Sequence, residues 1–192
     1  MTTRILFVFL AFTIGLRAAE VWTWWVDPCR GDAVASGCNT DDEDLARWAF
    51  EGWQRESSDR LVFRKSTSAR HARLTVHWAT NPGLYGETRG VMVDGKPGAE
   101  LFILPGTNAA HQKDPLLRDT IVFLTFVHET GHALGLRHTS NFDDIMYSFQ
   151  YGGDIDAYFD RYRKLIGVRT DIAKHSGLSA GDRLSLRALF AR

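Results

Sequence analysis

One stretch in the second half of the chain carries side chains suited to metal chemistry. It reads HETGHALGLRH over residues 128–138. On a helix, His128 and His132 project from one face, one turn apart, so both imidazoles can bind one zinc ion at about 2.0–2.1 Å. Gly135 tolerates a positive φ, which lets the chain turn sharply and bring His138 back to the same ion. Three protein ligands leave a fourth position open, which is typical of a catalytic zinc site.

Glu129 directly follows the first of these histidines. It can reach a water on the metal without binding the metal itself. Since zinc lowers the pKa of its bound water to about 7, we expect Glu129 to activate a zinc-bound water by taking its proton. A purely structural zinc is disfavoured because Glu129 would then be a buried carboxylate without a task.

A long helix must hold these residues. Its predicted start is Pro115 or Asp119 and its predicted end is Leu134, and because it is apolar nearly all round we place it inside the protein. A second helix is predicted from a capping box at Thr40–Glu43 to Glu56, and a third, amphipathic helix over 154–166. A last helix begins at the cap Ser179–Asp182 and ends near Phe190.

Short strands with turn residues between them precede the long helix. They are predicted at residues 21–26, 61–65, 74–78, 90–93 and 100–104. A loop over 83–90 and a turn over 94–98 are predicted from their glycines, proline and polar residues. Strands and one helix followed mainly by helices indicate an α+β fold.

Length and charge narrow the class of protein. The 192 residues suit one domain, 44% of them are apolar, and Lys plus Arg equal Asp plus Glu at 23 each. This balance gives no reason to expect nucleic acid or an acidic membrane surface as a partner, and we expect a monomer.

The first residues have the pattern of a signal peptide. Arg4 precedes an apolar run over 5–16, and Ala18 and Ala19 offer a small-residue cleavage site. A buried N-terminal helix is the alternative. We predict a signal peptide over 1–19 and a catalytic domain over 20–192 that is secreted or periplasmic and not inserted in a membrane. In an oxidising compartment, Cys29 and Cys38 are predicted to form a disulfide.

The histidine motif resembles the signature of the metzincin metallopeptidases, which a methionine turn follows. Asp143–Tyr147 matches that turn, with Met146 eight residues after His138. Within the metzincins the sequence is most similar to the matrixins, the matrix-metalloprotease type of catalytic domain, over most of Val21–Arg192. The likeness includes the pair Met146 and Tyr147, and it implies that Met146 forms an apolar floor under the zinc.

The resemblance also implies a fold and a substrate. The expected zincin fold has a mostly parallel, twisted sheet of about five strands with an edge strand at the cleft, two long helices and a C-terminal helix. An extended protein or peptide substrate would pair with an edge strand containing Gly90, Val91 and Met92. The segment after Met146, longer than in matrixins, would form the wall of the pocket beyond the scissile bond.

Several features depart from the matrixins. The elements of their structural zinc site are not visible, so His71, His77, His111 and His175 are interpreted as ordinary surface or sheet residues. Their calcium sites are not recognisable either, so the sequence supports one catalytic zinc and leaves open whether the protein also binds calcium. Around Cys29 the order of cysteine and arginine is inverted relative to the matrixin cysteine switch, which remains the alternative to the disulfide.

Together these features predict a secreted zinc endopeptidase. Two alternatives remain open at this stage. One is a catalytically vestigial zinc-binding module. The other is a zinc amidase that acts on a non-protein amide, for example in a cell-wall peptide.

Overall fold

The computed structural model of the chain describes residues 18–80, 85–106 and 113–191. The predicted signal peptide therefore lies outside the described residues except for Ala18 and Ala19, and His111 also lies outside them. No helix of the described ranges combines the length and the apolar character needed to cross a bilayer.

Five strands form one sheet in the order β2-β1-β3-β5-β4. They are β1 (Glu20–Val26), β2 (Leu61–Lys65), β3 (Leu74–Trp78), β4 (Gly86–Val93) and β5 (Lys96–Ile103). All neighbours pair in parallel except β4, which runs antiparallel to β5 and lies at the edge. This arrangement confirms the expected mostly parallel sheet with an edge strand.

Four α-helices accompany the sheet within the described ranges. They are α1 (Asp42–Glu56), α2 (Pro115–Ala133), α3 (Ile155–Arg163) and α4 (Ala180–Phe190). Short 3-10 helices occupy Gly31–Ser36, Ala69–His71, Phe149–Tyr151 and Arg169–Lys174. Strands therefore dominate the first half and helices the second, which confirms the α+β class.

The core lies between α1, α2 and one face of the sheet. Its largest fully buried side chains include Phe50 and Trp53 of α1 and Phe123 and Phe126 of α2. The Trp53 indole Nε1 donates to the carbonyl of Val127 at 2.9 Å, so the two helices are joined by a hydrogen bond as well as by packing. As expected, α2 is buried nearly all round: every residue from Arg118 to Gly131 is buried except the half-buried His128.

Buried charges tie the starts of α1 and α2 together. Arg118 donates to both carboxylate oxygens of Asp42, and it also bonds to Asp119 at 3.0 Å. Asp119 in turn accepts from Arg169 at 2.8 Å. Because Asp42 is fully buried, Arg118 supplies the opposite charge that its carboxylate faces.

Three local predictions are wrong. The predicted capping box at Thr40–Glu43 is absent: the helix begins at Asp42, and its N-cap Asp41 makes no side-chain cap hydrogen bond. Asp42 instead accepts hydrogen bonds from the Arg118 guanidinium and from the backbone amide of Asn39. The cap at Ser179 is confirmed, because Ser179 and Asp182 form a reciprocal capping box.

The second correction concerns the edge hairpin. Residues 86–90, predicted as part of a loop, belong to β4, and Lys96–Gly98, predicted as part of a turn, belong to β5. The turn itself is only Asp94 and Gly95, both with positive φ, the geometry that a two-residue hairpin requires. Strand pairing with β5 outweighs the weak strand propensity of these glycines and polar residues.

The amphipathic helix is shorter than predicted. It covers Ile155–Arg163 instead of 154–166 and is capped by the Asp154 side chain, which accepts from the Ala157 amide at 3.0 Å. Tyr158, Phe159 and Tyr162 are buried as the apolar pattern indicated, whereas Leu165 lies beyond the helix and is exposed.

Candidate active site

Three histidine side chains converge beside the C-terminal half of α2. His128 and His132 lie one turn apart on that helix, with ring centroids 4.8 Å apart. The Nε2 atom of His138 lies 3.2 Å from Nε2 of His128 and 3.0 Å from Nε2 of His132. The structure thus brings together the three histidines that the spacing singled out.

The chain reverses between the second and third histidines. After α2 ends at Ala133, Gly135 adopts φ +99°, and the Leu136 amide donates to the carbonyl of Gly131 at 2.9 Å. A positive φ is strained for residues with a Cβ, so glycine is the residue that fits this turn. His138 is then carried back along the side of α2 and faces the other two rings.

Hydrogen bonds to backbone carbonyls set the tautomers of the two helical histidines. Nδ1 of His128 lies 2.6 Å from the carbonyl oxygen of Ile145, and Nδ1 of His132 lies 3.0 Å from that of Leu136. A carbonyl can only accept, so each Nδ1 carries the proton and each Nε2 presents a lone pair. Burial lowers the pKa of His128 to about 4 and also lowers the pKa of His138, which keeps these rings neutral near pH 7.

This donor set fits a zinc ion. In a tetrahedral site with bonds of about 2.0–2.1 Å, two ligand nitrogens lie about 3.3 Å apart, close to the 3.0 and 3.2 Å observed here. Without a cation, the Nε2 lone pairs of His128 and His132 would have at most the single Nε2–H of a neutral His138 to share. Among residues 18–80, 85–106 and 113–191, this is the one group of three or more ligating side chains that could hold a metal.

Glu129 lies beside the histidines with only 5% of its surface exposed. Its Oε2 atom accepts a hydrogen bond from the Thr88 hydroxyl at 2.6 Å. Burial raises the pKa of Glu129, while the Thr88 hydrogen bond and the nearby imidazoles oppose that rise. The result is a carboxylate whose affinity for a proton is higher than that of an exposed glutamate.

The methionine turn, Asp143–Tyr147, underlies the histidines. Met146 is 1% exposed, and its sulfur lies so close to Gly131 of α2 that a Cβ there would be 2.3 Å from it. The turn is anchored from α4, because Asp182 accepts from the amides of Ile145 at 2.8 Å and Met146 at 3.3 Å. Tyr147 is also buried, and its hydroxyl donates to the carbonyl of Gly152 at 2.7 Å.

A cleft of about 790 Å³ passes the three histidines and Glu129. On one side it is bounded by β4, where Gly86, Thr88 and Gly90 line it, while Val91 and Met92 are not among its lining residues. The opposite wall comes from the segment after Met146 and from α3. Its apolar side chains are Tyr147, Phe149, Ile155, Tyr158 and Phe159.

Only every second residue of β4 directs its backbone N–H and C=O groups away from β5. The Leu104 amide donates to the carbonyl of Tyr85 at 2.9 Å, and Gly86 lies opposite Ile103 in the antiparallel register. Backbone groups alternate between the two sides of an antiparallel strand. Odd-numbered residues of β4 therefore bond to β5. Gly86, Thr88, Gly90 and Met92 present their N–H and C=O groups to the free edge, which no strand of the described residues covers.

The two cysteines and the scattered histidines have other roles. Cys29 and Cys38 form a disulfide, so neither is a free thiol. His71 lies 3.4 Å from a carboxylate oxygen of Asp94, and His77 lies 2.7 Å from one of Asp27. Neither histidine joins the triad, in agreement with their interpretation as surface or sheet residues.

Two contacts of the site were not predicted from the sequence. One is the bond from Thr88 to Glu129, and the other is the anchoring of the methionine turn by Asp182. Thr88 fell in a segment predicted as a loop, and its partner Glu129 is 41 residues away. Asp182 was recognised only as part of a helix cap. No local pattern could have indicated either contact.

Comparison with known families agrees with this geometry. The matrixin family model matches residues 32–157. That range contains the histidine triad, Glu129 and Met146. No curated protein matches the chain.

Proposed function

Because the chain belongs to the matrixin family, we propose that it is a zinc-dependent endopeptidase. The observation that carries this proposal is the convergence of three histidine Nε2 atoms next to the buried Glu129, in a cleft bounded by a free strand edge. His128, His132 and His138 would hold the ion. When bound, zinc polarises a peptide carbonyl and lowers the pKa of water at the site.

Glu129 would move the proton. Its Oε2 is engaged by Thr88, so Oε1 is the atom that would take a proton from the attacking water and pass it to the departing amine. A carboxylate whose pKa is raised by burial holds that proton more readily during the reaction. Such general acid–base transfer contributes about 10² to 10⁴ in rate.

The substrate would lie extended along β4. The N–H and C=O groups that Gly86, Thr88 and Gly90 present to the free edge can pair with a peptide backbone irrespective of its side chains. Gly86 and Thr88 lie nearer the start of β4 than the predicted contact residues Gly90, Val91 and Met92, of which only Gly90 lines the cleft. Backbone pairing on both sides of the scissile bond favours cleavage inside a polypeptide.

The pocket wall suggests which residue follows the scissile bond. Leu124, Ile145, Phe149, Tyr158 and Phe159 surround the part of the cleft away from β4. Tyr85 closes over Phe159, with ring centroids 5.2 Å apart. An apolar or aromatic substrate side chain would bury its surface there, and a charged one would lose its hydration without a partner.

Secretion is part of the proposal. The disulfide between Cys29 and Cys38 is typical of an oxidising compartment, and the sequence pattern of residues 1–19 predicts a signal peptide. We propose that residues 20–192 form the mature catalytic domain. N-terminal sequencing of the protein exported by an expressing cell should find a start at residue 19 or 20, and intact Met1 on the exported protein would contradict the signal peptide.

The central test compares the protein with Glu129→Gln, which removes the charge and keeps the shape. Both are loaded with zinc and incubated with a peptide library and with cell-wall peptides, and products are read by mass spectrometry. We expect internal cleavage of polypeptides by the wild type, a loss of about 10² to 10⁴ in Glu129→Gln, and equal zinc content in both.

Other outcomes separate the alternatives. Cleavage of cell-wall peptides without cleavage of the library would show the amidase. Bound zinc without turnover of either substrate class would show the vestigial module. Unchanged cleavage by Glu129→Gln with zinc bound would remove Glu129 from the mechanism.

A further inference from the structure

The carboxylate of Glu129 is held by one residue of the edge strand. The Thr88 hydroxyl lies 2.6 Å from Oε2 of Glu129 and 2.9 Å from the backbone oxygen of the same residue. A hydroxyl has a single hydrogen to donate. The carboxylate oxygen is the closer and the stronger of the two acceptors, so it receives that hydrogen. Within the described ranges, no other hydrogen bond reaches this carboxylate.

The strand also leaves space for the rest of the Glu129 side chain. A Cβ built at Gly86 would lie 2.7 Å from Cγ and 2.8 Å from Oε1 of Glu129. Gly86 and Thr88 are two residues apart and share one face of β4. Contact at Gly86 and a hydrogen bond at Thr88 therefore define where the carboxylate lies, and among the described residues no hydrogen bond occupies Oε1.

Thr88 has a second property that the strand register defines. Its N–H and C=O groups point to the free edge of β4, where the substrate backbone would pair, while its side chain points to α2. One residue thus contacts the general base through its hydroxyl and faces the substrate through its backbone. A peptide paired with β4 would then be placed relative to Glu129 through this one residue.

We propose that Thr88 is a positioning residue, which orients the Glu129 carboxylate relative to a peptide paired with β4. This inference rests on the proposed peptidase function. Loss of the hydroxyl would leave the Glu129 side chain free to rotate about its terminal torsion, which is a soft torsion. Proton transfer would then start from a poorly aligned carboxylate, whereas substrate pairing would keep its backbone partners.

The test uses three variants of the full-length zinc-loaded protein. Thr88→Val keeps the shape and removes the hydroxyl, Thr88→Ser restores the hydroxyl, and Thr120→Val is the matched control. Thr120 is a buried threonine of α2 whose hydroxyl donates to the carbonyl of Leu116 at 2.7 Å, away from the cleft. Its replacement removes a buried hydroxyl without touching Glu129.

We expect Thr88→Val to lower kcat about 10- to 100-fold, the effect of one hydrogen bond to a charged group. KM should stay within about twofold, because the backbone groups that pair with substrate remain. Thr88→Ser should recover kcat to within about threefold of the wild type, and Thr120→Val should not change it.

A second measurement does not depend on turnover. The NMR spectrum of the ¹³C-labelled carboxylates is recorded with and without zinc. The signal of Glu129 is the one that is missing in Glu129→Gln. It should shift in Thr88→Val, return in Thr88→Ser and stay unchanged in Thr120→Val. If the wild type cleaves no peptide, the proposed function fails, and these spectra still decide whether Thr88 holds the carboxylate.

Three results would overturn the role of Thr88. They are an unchanged kcat in Thr88→Val, an equal loss in Thr88→Ser and Thr88→Val, and a Glu129 signal that is insensitive to the hydroxyl. The second of these would show that the hydroxyl, which serine keeps, does not by itself restore turnover.

Discussion

Replacement of Gly131 by alanine tests whether α2 must approach the methionine turn this closely. Gly131 lies between Glu129 and His132, and a Cβ there would be 2.3 Å from the Met146 sulfur and 3.2 Å from Cζ2 of Trp53. Both partners are almost fully buried, so neither can rotate into solvent. Gly131→Ala therefore forces the turn away from the helix.

The sign of the stability change follows from two opposing effects. Alanine gains about 1 kcal/mol over glycine inside a helix, and overpacking of a tight core costs about 1–3 kcal/mol. The control is Gly52→Ala in α1, where the nearest atom to an added Cβ is Cα of Ser176 at 3.4 Å, an ordinary contact. We expect Gly52→Ala to be neutral or stabilising and Gly131→Ala to be less stable than it by about 1–3 kcal/mol.

Displacement of the turn should also weaken the metal site. The carbonyl of Ile145, next to Met146, accepts the hydrogen bond that fixes the ring of His128 at 2.6 Å. Loss of such an outer contact typically lowers metal affinity about 10- to 100-fold. Gly52→Ala leaves this contact untouched and should bind zinc like the wild type.

Urea unfolding of the metal-free proteins and zinc titration against a competing chelator measure the two effects separately. For a protein of this size, 1 kcal/mol corresponds to about 2–4 °C in Tm, so thermal scans provide a check. A Gly131→Ala protein as stable as Gly52→Ala, with unchanged zinc affinity, would refute the packing argument.

Three further predictions concern the supports of the site. Replacement of both Cys29 and Cys38 by serine should lower the free energy of unfolding by about 2–3 kcal/mol, the loop-closure value for a bridge spanning nine positions; no change in urea midpoint would contradict it. Arg118→Met leaves the fully buried Asp42 without its cation and should cost about 3–5 kcal/mol, a loss that calorimetry would detect and that equal Tm values would exclude. Asp182→Asn should lower the free energy of unfolding by about 1.5–3 kcal/mol. An asparagine side chain has one acceptor oxygen, which cannot accept from all three backbone N–H groups that bond to this carboxylate. The same unfolding assay measures this change, and wild-type stability would contradict it.

The convergence of the three histidines was predictable because it depends mostly on local geometry. Helical periodicity alone places His128 and His132 on one face, and the positive φ of Gly135 explains the return of His138. The apolar character of α2 likewise predicted its buried position. These features depend on neighbours in sequence, which a single sequence displays.

The contacts of the edge strand could not be predicted in this way. Residues 86–90 have weak strand propensity, and they form a strand because β5 supplies the hydrogen bonds. The bond between Thr88 and Glu129 joins residues 41 apart. Similarly, Asp42 looks like part of a helix cap in sequence and becomes the partner of Arg118, 76 residues away.

Anomalous diffraction from zinc-soaked crystals, collected on both sides of the zinc absorption edge, tests the central claim most directly. We predict one anomalous peak per chain, about 2.0–2.1 Å from the Nε2 atoms of His128, His132 and His138. A peak bound elsewhere, or a peak that lacks the ring of any one of the three, would contradict the account.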